Sequence, residues 1–115
     1  MKKAGQLVYL QFPQVNLLAG KLRPGLLLTQ LPGKHDDWLV CMLSTQLQQF
    51  VLDLDEIINP TDADFLQSGL KKASLIRGGR LAVVEDAMLV GAIGEIHQIR
   101  LQRVKQRIAN WLVGK

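Results

Sequence analysis

Six consecutive apolar residues, Trp38-Leu39-Val40-Cys41-Met42-Leu43, constrain this chain more than any other stretch. In an extended backbone successive side chains point to opposite faces, so Trp38, Val40 and Met42 share one face and Leu39, Cys41 and Leu43 the other. A strand that is apolar on both faces must be covered on both, which puts it in the middle of a sheet. Turn-forming Pro32-Gly33-Lys34-His35-Asp36-Asp37 precedes it as a hairpin loop, and polar Ser44-Thr45-Gln46 follows it. We therefore expect a central strand over residues 38–45. Period two sends Ser44 and Thr45 to opposite faces, so only one of them shares a face with a given ligand.

The strand on the other side of that hairpin starts from Lys21-Leu22-Arg23-Pro24-Gly25-Leu26-Leu27-Leu28-Thr29, where a charged turn runs into an apolar stretch. Proline lacks an amide hydrogen and has a fixed φ, so Pro24 suits a strand entry and not its middle. The strand is expected over residues 25–31, with Arg23 held at the mouth of the sheet as an anion ligand or a solvated charge. A first strand over residues 6–12 ends at Pro13, and a loop over 14–20 carries Leu17 and Leu18. Downstream, residues 50–54 read as a short strand and 59–64 as an acidic connection. Residues 72–77 and 80–84 read as two strands around a tight turn or bulge at Gly78-Gly79, and residues 91–94 as the exit from the sheet. The clearest helix covers residues 98–112, where Leu101, Val104, Ile108, Trp111 and Leu112 recur at helical spacing. Arg100, Arg103 and Arg107 flank that stripe and are read first as a solvated or salt-bridging face.

A length of 115 residues makes one domain, and 48% hydrophobic content argues for a packed core. The net charge of +4 fits an anionic partner such as nucleic acid or an acidic protein. The lone Cys41 sits in the apolar run, which excludes an intrachain disulfide and reads as a buried thiol in a reducing cytoplasm. No apolar run reaches the length of a membrane span. No metal site or cofactor is expected: His35 and His97 are far apart, and the Asp53-Leu54-Asp55-Glu56 stretch lacks the glycine of a calcium loop. Gly78-Gly79 does not open a helix, so it is not a phosphate loop.

Arg23-Pro24 at the head of one strand, Ser44-Thr45-Gln46 at the tail of the next, and Ser68-Gly69-Leu70-Lys71-Lys72-Ala73-Ser74-Leu75-Ile76-Arg77 further on resemble the PemK/MazF toxins of bacterial toxin–antitoxin systems. The resemblance covers essentially the whole length. It implies an α+β, mainly β domain over residues 1–115: a small, strongly curved antiparallel sheet close to an SH3-like barrel, with a C-terminal helix packed on it. It also implies a homodimer, a cognate antitoxin with an acidic flexible tail, and a groove for single-stranded RNA, with the loop over 14–20 lying across it.

The activity so implied is metal-independent cleavage of mRNA, in which a ribose 2'-hydroxyl attacks the adjacent phosphate. Arg23 suits stabilisation of the crowded phosphorus centre, because a guanidinium is a fixed fork of donors that stays charged. Ser44 or Thr45 is placed to bind a phosphate oxygen or orient the 2'-hydroxyl, while Lys21, Gln46, Arg77 and Arg80 are the expected RNA contacts. A base is missing from this set. Family members with a defined acid/base pair carry a carboxylate on the strand matching residues 74–83, whereas here that stretch holds Arg77 and Arg80, with Glu85 and Asp86 just beyond. His35 and His97 read as surface or capping residues, and Tyr9, Phe12 and Trp38 as core in preference to base-stacking platforms. The alternatives are a toxin-fold protein that binds a protein target, as the CcdB-type gyrase inhibitors do, or an RNA-binding remnant without catalysis.

Overall fold

A computed structural model describes residues 2–10 and 22–115. Its strands are β1 (Gln6–Leu10), β2 (Arg23–Gln30), β3 (Asp37–Ser44), β4 (Glu56–Ile58), β5 (Ser74–Glu85) and β6 (Gly91–Glu95), with helices α1 (Phe65–Ser68) and α2 (Gln98–Val113). All pairings are antiparallel and the order is β4-β5-β3-β2-β1-β6, so the doubly apolar β3 is central as its sequence requires. Leu26, Leu28, Cys41, Leu43 and Ile76 pack on the α2 side with Leu101, Val104 and Ile108, while Val8, Leu10, Leu27, Trp38, Val40 and Val84 form a second cluster on the opposite face. Burial of Cys41 pushes its thiol up to about 12, so it is an inert member of the core.

The sheet curls until its two edges are joined through α1. This helix follows edge strand β4 in the chain and packs against the other edge strand, β6. Glycines permit the approach: a Cβ on Gly94 would lie 2.2 Å from the Gln67 carbonyl oxygen, and one on Gly69 would lie 2.0 Å from that of Ile93. Gly69 also has φ +76°, ending α1 in the left-handed region that favours glycine.

Several elements depart from the sequence reading. Residues 50–54 form turns and no strand; the strand of this region is β4, which begins two residues beyond them at Glu56. Residues 74–85 are one strand with a bulge, because pairing with β3 steps from Met42↔Arg77 to Cys41↔Leu81 and leaves Gly78–Arg80 as the excess. Gly78 is required there, since its Cβ would lie 2.7 Å from the Leu54 carbonyl oxygen and 3.1 Å from Ile108. Residues 91–95 are the edge strand β6 and not an exit from the sheet. On α2, Leu101, Val104 and Ile108 are buried as the stripe predicts, but Trp111 is 48% exposed and Leu112 67%, because the helix runs past the sheet it covers. The expectations for Phe12, Pro13 and the loop at 14–20 fall outside the described residues.

The helix arginines are occupied within the molecule. Arg100 is buried and donates to Asp64 (2.8 and 3.1 Å), Asp62 (2.9 Å), Glu56 (3.0 Å) and the Ile57 carbonyl (3.2 Å). Arg103 pairs with Glu56, and Arg107 donates to the Asp55 carbonyl at 2.8 Å. The row is therefore a salt-bridging face whose partners are the chain's own acidic middle. Burial alone would favour the neutral acid at Asp64, but Arg100 and the His97 amide outweigh it and hold the carboxyl below its ordinary value. At Asp62 the Asn59 amide, ahead of Arg100, does the same.

Candidate active site

The hairpin register brings Arg23 and Ser44 together. Gly25 pairs with Met42, Leu26 with Cys41 and Leu27 with Val40; continuing by two residues sets Arg23 opposite Ser44 on adjacent strands, about 5 Å apart at Cα. Leu27 and Val40 both belong to the cluster remote from α2, so strand alternation puts Arg23 and Ser44 on that same face. Leu10 pairs with Arg23 on one side and Leu75 with Ser44 on the other, giving one row across four strands: Leu10, Arg23, Ser44, Leu75. The next row is Val8, Gly25, Met42, Arg77.

A cleft of about 330 Å³ opens at the end of these strands, lined by Leu22, Arg23, Pro24, Leu43, Ser44, Thr45 and Ser74. Arg23 is half-buried; its Nε is buried without a hydrogen-bond partner, and it joins no ion pair among the described residues. An unpaired buried donor of a guanidinium is costly and finds its natural complement in an anion. Ser44 Oγ accepts the Gln46 amide at 3.0 Å, which leaves its own hydrogen free to donate into the cleft. Thr45, just past the strand, is exposed on the rim, so both hydroxyl residues line the cleft while Ser44 shares the Arg23 face.

The remaining expected residues scatter. Arg77 lies on the cleft face one row along, about 7 Å from the Leu75 position, and is half-buried. Gln46 is exposed beside Thr45. Arg80 sits in the bulge, exposed and away from the cleft. Lys21 falls outside the described residues. Ser74 was not anticipated: it is buried in the cleft wall, its hydroxyl donating to the Lys72 carbonyl at 2.9 Å. The signal was present in the Lys71-Lys72-Ala73-Ser74 stretch, but only the pairing of β5 with β3 shows that it ends beside Ser44.

Among the described residues, no carboxylate or imidazole lines the cleft. Glu85 pairs opposite Asp37 at the far end of β3, seven residues and about 20 Å from Ser44, with Asp86 beyond it. This removes both as stand-ins for the missing acid. His35 lies in the β2–β3 loop at that same far end, and His97 precedes α2, where its amide donates to Asp64 at 3.2 Å. Glu56 pairs opposite Ile76 on the helix face and is engaged there by the arginines. Residues 11–21 contain no Asp, Glu or His in the sequence.

Comparison with solved structures defines the class. A Mycobacterium tuberculosis toxin, MazF-mt6, superposes with a TM-score of 0.69 over 94% of this chain and 96% of its own, at 17% identity. An endoribonuclease in complex with its cognate antitoxin, from a mycobacterial species, gives 0.68 over 98% and 96%, at 13% identity. At these identities the likeness establishes the toxin fold. The sequence goes further: residues 3–112 match the model of the PemK-like, MazF-like toxins of type II toxin–antitoxin systems, and the chain belongs to that family. No curated protein matched the chain.

Proposed function

We propose that the Arg23–Ser44 cleft is the catalytic centre of a toxin endoribonuclease that cuts single-stranded mRNA without a metal and is held in check by a cognate antitoxin. The observation that carries the reading is the half-buried Arg23, whose Nε has no partner among the described residues, beside the Ser44 hydroxyl at the strand ends that the family motifs single out. In the reaction the ribose 2'-oxygen bonds to phosphorus and loses its proton. The 5'-oxygen then leaves and takes up a proton, giving a 2',3'-cyclic phosphate and a 5'-hydroxyl. Arg23 binds the non-bridging oxygens as charge builds on them, Ser44 donates a further hydrogen bond, and Arg77 adds positive charge from the next row. Thr45 orients the ribose from the rim. With no carboxylate or imidazole in the cleft, the 2'-proton passes to solvent, and acceleration comes from charge stabilisation and positioning.

A homodimer in the cytoplasm, with an acidic antitoxin tail competing for the Arg23 guanidinium, completes the proposal. The missing carboxylate favours one competing reading, a toxin-fold protein that acts by binding a protein target. One assay separates them: purified protein with long single-stranded RNA in excess EDTA, beside Arg23→Ala, with the new ends mapped. Discrete cuts leaving cyclic phosphate and 5'-hydroxyl ends, lost in the variant, are expected. Intact RNA from a protein that still arrests growth would exclude the nuclease.

A further inference from the structure

One polar side chain of the cleft has no part in the chemistry above. Ser74 is 3% exposed, and its hydroxyl donates to the Lys72 carbonyl at 2.9 Å. A carbonyl oxygen only accepts, so the direction of this bond is fixed and the Ser74 hydrogen is committed to it. The lone pairs of Ser74 Oγ take no hydrogen bond from a described residue and are left for a ligand. Ser74 is the first residue of β5, and the next residue, Leu75, pairs with Ser44; continuing the register by one sets Thr45 opposite Ser74, about 5 Å apart at Cα. Alternation turns Thr45 and Ser74 to the helix face and Arg23 and Ser44 to the other, and the cleft at the strand ends is lined by all four.

The cleft therefore has two poles of opposite character. Arg23 has donors and no acceptor, and the Ser44 hydrogen is free to donate, so this pole suits a phosphate diester, which at neutral pH offers acceptors alone. Ser74 accepts and cannot donate, and among the described side chains lining the cleft it alone has this character. A phosphate oxygen set against it would be repelled. Its complement is a donor close to the phosphate, and on an RNA chain the donor nearest to a phosphate is the ribose 2'-hydroxyl, which DNA lacks. A 2'-hydroxyl whose hydrogen points at Ser74 turns its oxygen lone pairs away from that residue and toward the phosphorus it attacks. Ser74 cannot pass the proton on, because the Lys72 carbonyl behind it is no base, so its role is to bind and orient.

From this arrangement we infer that Ser74 accepts a hydrogen bond from the ribose 2'-hydroxyl beside the phosphate held at Arg23, and so selects RNA over DNA and positions the attacking oxygen. The inference rests on the ribonuclease reading and adds a specificity and positioning residue to it. The probe is a short single-stranded RNA that the protein cuts or, if none is cut, the tightest binder from a random RNA pool. It is made with one 2'-hydroxyl at a time replaced by fluorine, which keeps the ribose pucker and donates nothing. Affinities of the full-chain wild type, Ser74→Ala and the near-isosteric Ser74→Cys are measured by fluorescence anisotropy at pH 5, where cleavage without a base is slow, with circular dichroism as the control for folding. The readout is the ratio of affinities for the hydroxyl and fluoro RNA within each protein, which a general loss of stability does not move. In the wild type fluorine at one position should weaken binding about fivefold, and this position should be the one at which fluorine abolishes cutting. The penalty should vanish in Ser74→Ala and shrink in Ser74→Cys, whose sulfur is a weak acceptor. A penalty equal in all three proteins, or absent at every position in the wild type, overturns the inference. If nothing is cut the nuclease reading falls, while a Ser74-dependent penalty on the pool's binder still supports recognition of the 2'-hydroxyl; RNA that is neither cut nor bound overturns both.

Discussion

Replacing Arg100 with methionine isolates what holds the helix to the sheet. The five bonds that Arg100 makes match the five N–H donors of a guanidinium, and the residue is 8% exposed. Methionine keeps the apolar stem and removes every donor, leaving Asp64, itself 3% exposed, without its principal partner, while Glu56 retains Arg103. Breaking a buried pair from one side costs about 3–5 kcal/mol, mostly through the carboxylate left uncompensated. Unfolding entropy near 2.1 cal/mol/K per residue over 115 residues converts each kcal/mol to about 4 °C, so Tm should fall by about 12–20 °C at pH 7. The pH dependence gives a second signature. Asp64 is held below its ordinary value in the folded wild type, so its contribution is present above the unfolded value of about 3.9 and is lost as pH falls through the lower folded one. In Arg100→Met burial acts on Asp64 with no guanidinium to oppose it, so the gap between the proteins should close below about pH 4. Adding Asp64→Asn should recover part of the loss at pH 7. Thermal melts of the three proteins from pH 3 to 7 test this; a fall under about 4 °C at pH 7, or a gap constant with pH, would refute the account of a buried hub.

Three further outcomes are expected. Arg23→Ala should lower the single-turnover rate of RNA cleavage by about 10²- to 10³-fold with its melting temperature unchanged, and Arg23→Lys should recover only part, since an ammonium lacks the planar fork. Because no carboxylate or imidazole among the described residues lines the cleft, the logarithm of the cleavage rate should climb with pH from 5 to 8 by about one unit per pH unit; a plateau near pH 6 or 7 would reveal a titrating base and contradict the register. Gly94→Ala should cost at least about 2 kcal/mol in denaturant unfolding, because the new methyl meets the Gln67 carbonyl at 2.2 Å and backbone has no rotamer to escape into; a change under about 0.5 kcal/mol would show that α1 yields freely.

The legible parts of this chain were those set by short-range patterning. Six apolar residues made β3 central, and a hairpin loop with proline and glycine tied β2 to it, so the meeting of Arg23 with Ser44 needed only the loop length. What was illegible depended on partners distant in sequence. Glu56–Ile58 falls between the strand expected at 50–54 and the acidic connection at 59–64, and it is a strand because Arg100 and Arg103, more than forty positions away, compensate the burial of Glu56. Gly94 reads as a chain breaker from its neighbours alone, and becomes a strand residue because α1 needs its bare Cα. Helical period identified α2 to within one residue at its C-terminus, but period carries no information on where the sheet beneath it stops, so Trp111 and Leu112 looked buried.

The same long-range pairing changes what the net charge says about function. The sequence concentrates arginines after residue 95 and carboxylates between 53 and 64, which invites an anion-binding helix beside an acidic loop. Folding brings the two together on the helix face, so Arg100 and Arg103 have carboxylate partners and Arg107 a backbone carbonyl, and none has to seek a phosphate. Arg23 and Arg77, on the opposite face, form no ion pair among the described residues. Their availability follows from the feature that looked like a defect: an acid on the Arg23–Ser44 row or the Arg77 row would supply a base but would also neutralise a guanidinium only one strand away. Besides Ser44, only leucine, valine, glycine and methionine occupy the other positions of those rows, and the cleft keeps its charge for a ligand at the expense of a proton acceptor.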